Sequence, residues 1–380
     1  MKRFEFGSRA RQIRRYLGIV RGRPLMGPQV VSLEVTHHCN LSCSFCESHG
    51  RLQAVPITAR RPYASDRWQM DLETVQRLAG ELAVVGTDLV ELSGKGEPMT
   101  HPQLSGIIAA LTDAGEECAL VTNGTLARPD LAATLVARGL LRLSVSLNAG
   151  SREVYRRTSS RDLWNEVLQF LGDVIDARRR QASARPWIQI THVVTRENTE
   201  DMERMGQVCA DLGVDEVAFL VMGELPETKF LQLGEPEVET ILAQVDGWGS
   251  LLRRAGVAHN LAAFSRELLL RVRGGRPQLN PLQQSLCCYE GWVFTVIAPD
   301  GVVTPCCYCE EEQLGNIYEQ GFDEIWYGRL YRTFRRKCRE MPCTHRPICR
   351  ECFTSCNVAA ENLRIHKRIC WAERLPFPVA

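Results

Sequence analysis

No apolar stretch in this 380-residue sequence approaches the length needed to cross a bilayer, so no membrane-spanning helix and no membrane partner are predicted. The first residues, Met1, Lys2, Arg3, Phe4, Glu5 and Phe6, lack the apolar core of a secretory signal, and a cytoplasmic location is expected. Charge of one sign is also missing. With 46 Lys and Arg against 45 Asp and Glu, the net charge is +1, which argues against a general nucleic-acid binder. There is no repeat of fixed period and no low-complexity tract. What is present is the balance of a globular chain, 44% hydrophobic and 24% charged, with enough length for one large α/β domain and a smaller second one.

Cysteine is the outlier. Of 16 cysteines, three lie at Cys39, Cys43 and Cys46, two stand alone at Cys118 and Cys209, and 11 fall from Cys287 to Cys370. In a reducing compartment such clusters bind metal more often than they pair as disulfides. Cys118 and Cys209 sit in apolar contexts and read as core packing residues.

Residues 1–30 form a basic, helical N-terminal extension with Arg9, Arg11, Arg14, Arg15, Arg21 and Arg23. A solvated capping helix is the expectation, with a nucleic-acid contact as the minority reading. From Val31 strand and helix alternate. Strand-like runs are Val31–Thr36, Leu89–Ser93, Cys118–Thr122, Leu141–Leu147, Ile188–Val194 and Val217–Val221. Between them lie helical stretches at Leu72–Val85, Gln103–Ala114, Asp130–Arg138, Leu163–Arg180 and Thr199–Leu212. This order predicts an α/β fold, a partial (β/α)6 barrel over residues 31–235, with its reactive mouth at the C-terminal strand ends. Residues 236–286 read as a helical linker. Residues 287–380 read as a small Cys-rich α+β domain, opening with short strands around the turn Pro299-Asp300-Gly301.

The first cysteine motif runs Cys39-x3-Cys43-x2-Cys46, directly after the first predicted strand. Three thiolates on one tight loop can ligate three irons of a [4Fe-4S] cluster and leave the fourth iron open. Zinc is the alternative occupant, with His37 or His38 completing a tetrahedral set.

In spacing and position this motif resembles the signature of the radical S-adenosylmethionine (SAM) superfamily. The resemblance implies that the open iron chelates SAM and that SAM is cleaved reductively to a 5′-deoxyadenosyl radical. Further segments match in order. Gly94-Lys95-Gly96-Glu97-Pro98 after the second strand resembles the family's Gly-Gly-Glu-Pro stretch, which contacts SAM, although Lys95 interrupts the Gly pair. Thr122-Asn123-Gly124 follows the third strand, where the family has Thr-Asn-Gly. Ser144, Ser146 and Asn148 alternate along and beyond the fourth strand and so share one face. SAM or neighbouring strands would satisfy them. The resemblance thus implies a cofactor-binding set of Gly94, Gly96, Glu97, Pro98, Thr122, Asn123, Ser144, Ser146 and Asn148.

The C-terminal array resembles the SPASM extension of these enzymes, which holds one or two auxiliary [4Fe-4S] clusters. Cys288, Gly301 and Cys306 are followed by Cys343-x5-Cys349-x2-Cys352-x3-Cys356 and then Cys370. The quartet spacing departs from the commoner x2, x5, x3 order. By resemblance, Cys288, Cys306 and Cys356, with Cys309 or Cys287, serve one cluster, and Cys343, Cys349, Cys352 and Cys370 the other. A single-cluster version and a zinc site in the array are the alternatives.

Hydrogen abstraction from a substrate between the SAM site and the C-terminal domain is therefore expected, with auxiliary clusters assisting redox steps. Asp300, Tyr308 and Glu290 are candidate acid–base residues because they neighbour predicted ligands. A short N-terminal extension, too small for a peptide-recognition domain, favours a sugar, aminocyclitol or nucleoside substrate in natural-product biosynthesis. A peptide-modifying maturase is the second reading, and a non-enzymatic zinc or nucleic-acid module a third. The resemblance also implies a flavodoxin- or ferredoxin-type electron donor.

Overall fold

A computed structural model describes residues 7–46, 48–50, 67–126, 128–222, 226–272, 287–307, 309–340 and 358–372. Its centre is a parallel sheet in which each short apolar strand is followed by an amphipathic helix. Strands β1 (Val30–Leu33), β2 (Leu89–Leu92), β3 (Glu117–Thr122), β4 (Arg142–Ser146), β5 (Trp187–Val194) and β6 (Glu216–Val221) lie side by side in chain order. Every neighbouring pair among them is parallel. The sheet does not close on itself, as expected of a partial barrel. Parallel pairing brings the loops after β1 to β4 to one end, and the candidate residues lie there.

The helices pack outside. In chain order they are α1 (Arg9–Val20), α2 (Leu72–Val85), α3 (Leu104–Asp113), α4 (Pro129–Ala137), α5 (Arg152–Ser159), α6 (Trp164–Arg180) and α7 (Met202–Leu212). The start of α2 is fixed by Asp71, whose carboxylate accepts from Thr74 N at 2.7 Å, and its end by Gly86 at φ +83°. Its face of Val75, Leu78, Ala79 and Leu82 is fully buried against the sheet. Cys118 and Cys209 are buried in the core, as read from the sequence.

The segment expected to link two domains carries α8 (Glu235–Arg254), β7 (Ala258–His259) and α9 (Leu261–Val272). β7 adds a seventh parallel strand beside β6. α8 packs on α7, and α9 packs on β6. The Cys-rich segment extends the other edge. After the short helix α10 (Glu290–Val293), β8 (Phe294–Ile297) pairs parallel with β1, Val30 opposite Phe294 and Leu33 opposite Ile297. β9 (Val302–Thr304) folds back antiparallel through the expected turn, where Gly301 has φ +84° and an added Cβ would lie 2.3 Å from Asn316 Oδ1. β10 (Gly315–Asn316), α11 (Phe322–Trp326), α12 (Arg329–Glu340) and α13 (Val358–Ala372) complete the described chain. One apolar core runs through both parts, from Ile19 to Ile369. α11 is tied to α2, where Phe322 N donates to Glu81 Oε2 at 2.8 Å, and to the segment before β1, where Trp326 Nε1 donates to Met26 O at 2.9 Å.

The basic N-terminal helix is not solvated along its whole length. Arg15 is 2% exposed, and its guanidinium donates to Asp88 at 2.8 Å; Arg11 meets the other carboxylate oxygen. Burial pulls the Arg15 pKa down against the opposing pull of Asp88. The same corner buries Glu116, whose carboxyl is pushed up to about 7 by desolvation, Arg11 opposing and Asp88 adding to the shift. A carboxyl raised in the folded state binds its proton there more tightly than in the unfolded chain. Its stabilising contribution is complete below the unfolded pKa and is lost as pH rises through about 7. Wild type is expected to lose thermal stability between pH 5 and pH 8. Glu116→Gln should flatten that slope, and melting scans across this range check it.

Candidate active site

Four strand ends supply one cavity. Its empty volume is about 850 Å3, and its wall includes Cys39, Cys43, Cys46, Gly94, Lys95, Gly96, Glu97, Thr122, Asn123, Ser146 and Asn148. The structure thus brings together the three thiols of the first motif and most of the residues singled out around it.

The cysteine loop is held from three directions. From the β3 side, Asn40 Nδ2 donates to Thr125 Oγ1 at 2.8 Å, and Asn123 Nδ2 donates to Asn40 Oδ1 at 3.0 Å. From the end of α5, Thr158 O accepts from Ser44 N at 2.9 Å and Ser160 Oγ accepts from Ser42 N at 3.1 Å. Ser160 adopts φ +69°, a left-handed conformation that costs a non-glycine residue energy. From the loop after β5, Glu197 Oε2 accepts from Ser44 Oγ at 2.6 Å.

The glycine segment presses onto the same loop. A Cβ on Gly96 would fall 2.3 Å from Thr36 O, and one on Gly94, at φ +119°, would fall 2.3 Å from Glu34 Cγ. Glu97 ties the segment to two other loops. Its N–H donates to His38 O at 2.7 Å. Its carboxylate accepts from Met99 N at 2.9 Å, Thr122 Oγ1 at 2.6 Å and Asn123 N at 2.6 Å. Glu97 is 3% exposed, and burial raises its pKa against those three bonds. Pro98 is buried in the 3-10 turn Pro98–Thr100 beneath the segment. Asn148 Oδ1 accepts from Val193 N at 2.7 Å. Ser144 lies deeper: its hydroxyl donates to Gln189 Oε1 at 3.0 Å, and it is not among the cavity's lining residues. Tyr155, Thr158 and Ser159 also line the cavity and had no signal in the motifs.

The thiol chemistry suits a cluster. Burial, with Glu97 and Cys46 adding, pushes the Cys39 thiol up to about 11, so thiolate formation there needs a cationic partner. Cys46 Sγ accepts from His49 N at 3.2 Å. Among the described residues, no three His, Cys, Asp or Glu side chains converge closely enough for one metal ion. His37 is hydrogen-bonded to Glu34 at 3.0 Å, and His38 stacks on Trp68. The three thiols share the wall of one cavity.

Across Lys95 lies a second cavity of about 450 Å3, lined by Glu34, Lys95, Val296, Ala298, Asp300, Cys307 and Glu310. Lys95 borders both spaces, and its ammonium is paired with Glu310 of the Cys-rich region. Of the neighbouring cysteines in the sequence, Cys288 and Cys309 are buried and Cys306 is half-buried. The Cys306 thiol is pushed upward, first by a hydrogen bond with Cys309 and then by burial, with Cys307 and Cys288 adding. Glu290 is buried in α10, outside the residues lining either cavity. Tyr308, Cys343, Cys349, Cys352 and Cys356 lie outside the described residues. Cys370 is carried on the backbone of α13. That helix docks beside Cys288 through Asn362 Oδ1, which accepts from Tyr289 N at 2.9 Å.

Comparison with known proteins agrees with this geometry. The model of the radical SAM superfamily matches residues 33–209, and that of the SPASM iron-sulfur cluster-binding domain matches residues 287–353. An AdoMet-dependent heme synthase of Nitratidesulfovibrio vulgaris is 24% identical over 344 residues, covering 85% of this chain and 87% of that protein. One of Methanosarcina barkeri is 26% identical over 346 residues, covering 86% and 91%. Among solved structures, Streptococcus suis SuiB bound to S-adenosylmethionine superposes with a TM-score of 0.61 at 14% identity, covering 90% of this chain and 76% of that one. Native anSMEcpe with bound AdoMet gives 0.61 at 15% identity, covering 91% and 98%. At these identities the two structures share the fold.

The contact between Gly96 and the Thr36 carbonyl leaves no room for a methyl group. Gly96→Ala should weaken SAM binding at least about tenfold, because the loop must retreat from the thiols, while the far-UV spectrum stays unchanged. Equilibrium dialysis of SAM against the anaerobically reconstituted protein measures it.

Proposed function

Because this chain belongs to the radical SAM superfamily and carries a SPASM domain, we propose that it abstracts a hydrogen atom from a small-molecule substrate seated between its two cysteine regions. Bound at Cys39, Cys43 and Cys46, a [4Fe-4S] cluster with SAM supplies the 5′-deoxyadenosyl radical; auxiliary clusters in the Cys-rich region serve the redox outcome. The residues of the chain hold these parts. Gly94 to Gly96 offer backbone to SAM, Thr122 and Asn123 fix Glu97 beneath it, and Ser146 and Asn148 close the far wall.

The observation that carries the substrate reading is the second cavity. It shares Lys95 with the cluster cavity and reaches Cys307 on its other side. Its wall mixes Glu34, Asp300, Glu310 and Lys95 with aliphatic carbon, which suits a hydroxyl- or amine-bearing ligand. Asp300 is the candidate base for an oxidation because it faces this space. The relatives matched over most of their length are named for synthesis of heme, and that supports a substrate other than a peptide. The peptide-modifying reading draws on a fold shared with SuiB bound to precursor peptide SuiA. A cytoplasmic setting and a flavodoxin- or ferredoxin-type donor belong to the same proposal. Among the described residues, no helix is long and apolar enough to cross a membrane.

The test is anaerobic turnover with SAM, a reductant and deuterated candidates of both classes. Deuterium recovered in 5′-deoxyadenosine from a small molecule supports the reading; recovery from a peptide alone replaces it. Cys43→Ala should abolish 5′-deoxyadenosine formation and remove about four irons per chain, leaving the C-terminal iron in place. Iron and sulfide analysis of the variant reads both changes.

A further inference from the structure

One face of the molecule, apart from both cavities, carries charge of a single sign. No Asp or Glu occurs from Gly7 to Leu33, a stretch with six arginines, and none occurs from Arg329 to Arg339, a stretch with five arginines and a lysine. Some of these cations are already engaged. Arg11 and Arg15 meet Asp88, Arg335 is buried over Trp326, and Lys337 meets Glu312. Arg9, Arg14, Arg21, Arg23, Arg332 and Arg339 are exposed, and among the described residues none of them is paired with a carboxylate. Several exposed arginines elsewhere are neutralised, Arg138 by Asp113, Arg152 by Asp162 and Arg185 by Glu117. In a chain of net charge +1 the excess is therefore local.

The two stretches are neighbours in space. α10 packs on both α1 and α12. Arg14 stands near Tyr327, just before α12, and the guanidinium of Arg339, near its other end, lies on Gly22 and leaves no room there for a Cβ. Asp323 also stands near Tyr327 and offsets part of the charge. Apolar side chains are exposed among the arginines: Ile13 at 59%, Leu330 at 48% and Leu17 at 39%. Exposed apolar groups bordered by arginine have the make-up of a protein-docking surface, and a merely solvated helix has no use for them.

Thiols of the Cys-rich region lie under this face. α10 begins two residues after Cys288. Cys287 Sγ donates to Arg339 O at 3.4 Å, and Cys338 is buried beneath α12. α13, which carries Cys370, is tied to α1, where Arg368 Nη1 donates to Tyr16 Oη at 3.1 Å. A partner that only adhered would need no cysteines below its contact surface. A partner that exchanges electrons does.

We propose that the basic face formed by α1 and α12 docks a small acidic one-electron carrier protein, which passes an electron to the auxiliary clusters of the Cys-rich region. One electron leaves the carrier and one cluster gains it; no bond forms or breaks. Opposite charge steers the encounter, and such steering raises association rates by about 10- to 1000-fold at low salt. The proposal rests on the auxiliary clusters and the external donor of the proposed function.

The experiment mixes reduced flavodoxin, an acidic one-electron carrier, with the anaerobically reconstituted protein, and follows the auxiliary-cluster signal by freeze-quench electron paramagnetic resonance. In wild type the rate should fall steeply as salt is raised. The double variant Arg14→Glu, Arg332→Glu should lose at least about tenfold in rate at low salt. Its iron content and its final extent of reduction by dithionite should equal those of wild type, which shows an intact fold and intact clusters. Arg180→Glu, Arg254→Glu, on α6 and α8, changes net charge equally and should stay within about twofold of wild type. An unchanged rate in the first variant overturns the proposal, as does an equal loss in the second, which would make the effect one of net charge. Flavodoxin transfer that survives while binding to phosphatidylglycerol vesicles or duplex DNA is lost also overturns it, because the face would then serve another partner. C-terminal clusters that dithionite reduces and flavodoxin does not would overturn this proposal alone. A protein without C-terminal iron would overturn the proposed function and this inference with it.

Discussion

The site depends on one buried carboxylate. Glu97 takes hydrogen bonds from Met99, Thr122 and Asn123 while its own N–H reaches back to His38. Taking a carboxylate out of water costs several kcal/mol, and charge-assisted bonds return roughly 1.5–3 kcal/mol each. Burial is offset only if all three donors are in place. The loops after β2 and β3 are therefore coupled: neither can shift without leaving a buried charge short of a donor, and a shift of the loop after β1 would leave the Glu97 N–H without its acceptor. That coupling sets the distance between the thiols and the glycine segment. The Asn123–Asn40–Thr125 bonds repeat it with neutral groups.

The central sheet was legible because each strand is a short β-branched run and each helix has a buried stripe at a period of 3.6. The helix over Leu72–Val85 is legible to the residue. The strand expected to run to Thr36 ends at Leu33, where β2 also ends and the chain turns into the cysteine loop. α5 was missed because its sequence, REVYRRTS, is polar and short, and what holds it is tertiary: Asp201 at one end, the cysteine loop at the other. β7 has two residues and no pattern to read. The Arg15–Asp88 pair joins residues 73 apart in the chain, and nothing local in a basic helix marks which arginine will be buried. Among the site residues, the cysteines announced themselves by spacing. Ser144 did not declare that its partner would be Gln189, since alternation fixes a face and not a depth.

Treating the two halves as separate bodies misses how they are joined. β1 lies between β2 and β8, in parallel register with both. The strand that launches the cysteine loop is thus hydrogen-bonded on one side to the radical SAM sheet and on the other to the Cys-rich region. Glu34, the first residue past β1, still donates its N–H to Ile297 O at 2.9 Å and lines the second cavity. A shift of β8 would therefore reach the three thiols through one strand. The shared apolar core and the α2–α11 clamp oppose such a shift.

Lys95 follows from the same constraints. Gly94 and Gly96 must lack side chains because Glu34 and the Thr36 carbonyl occupy the places a Cβ would take. The position between them meets no such wall, so a long side chain is tolerated there. The proposed recognition of SAM through the backbone of this segment does not require a particular side chain at that position. Lys95 is thus left to work in the other direction, and its ammonium crosses to Glu310 at the rim of the second cavity. A departure from the glycine pair is then compatible with the SAM site proposed here. It places a cation where the two cavities meet and ties the glycine segment to the Cys-rich region.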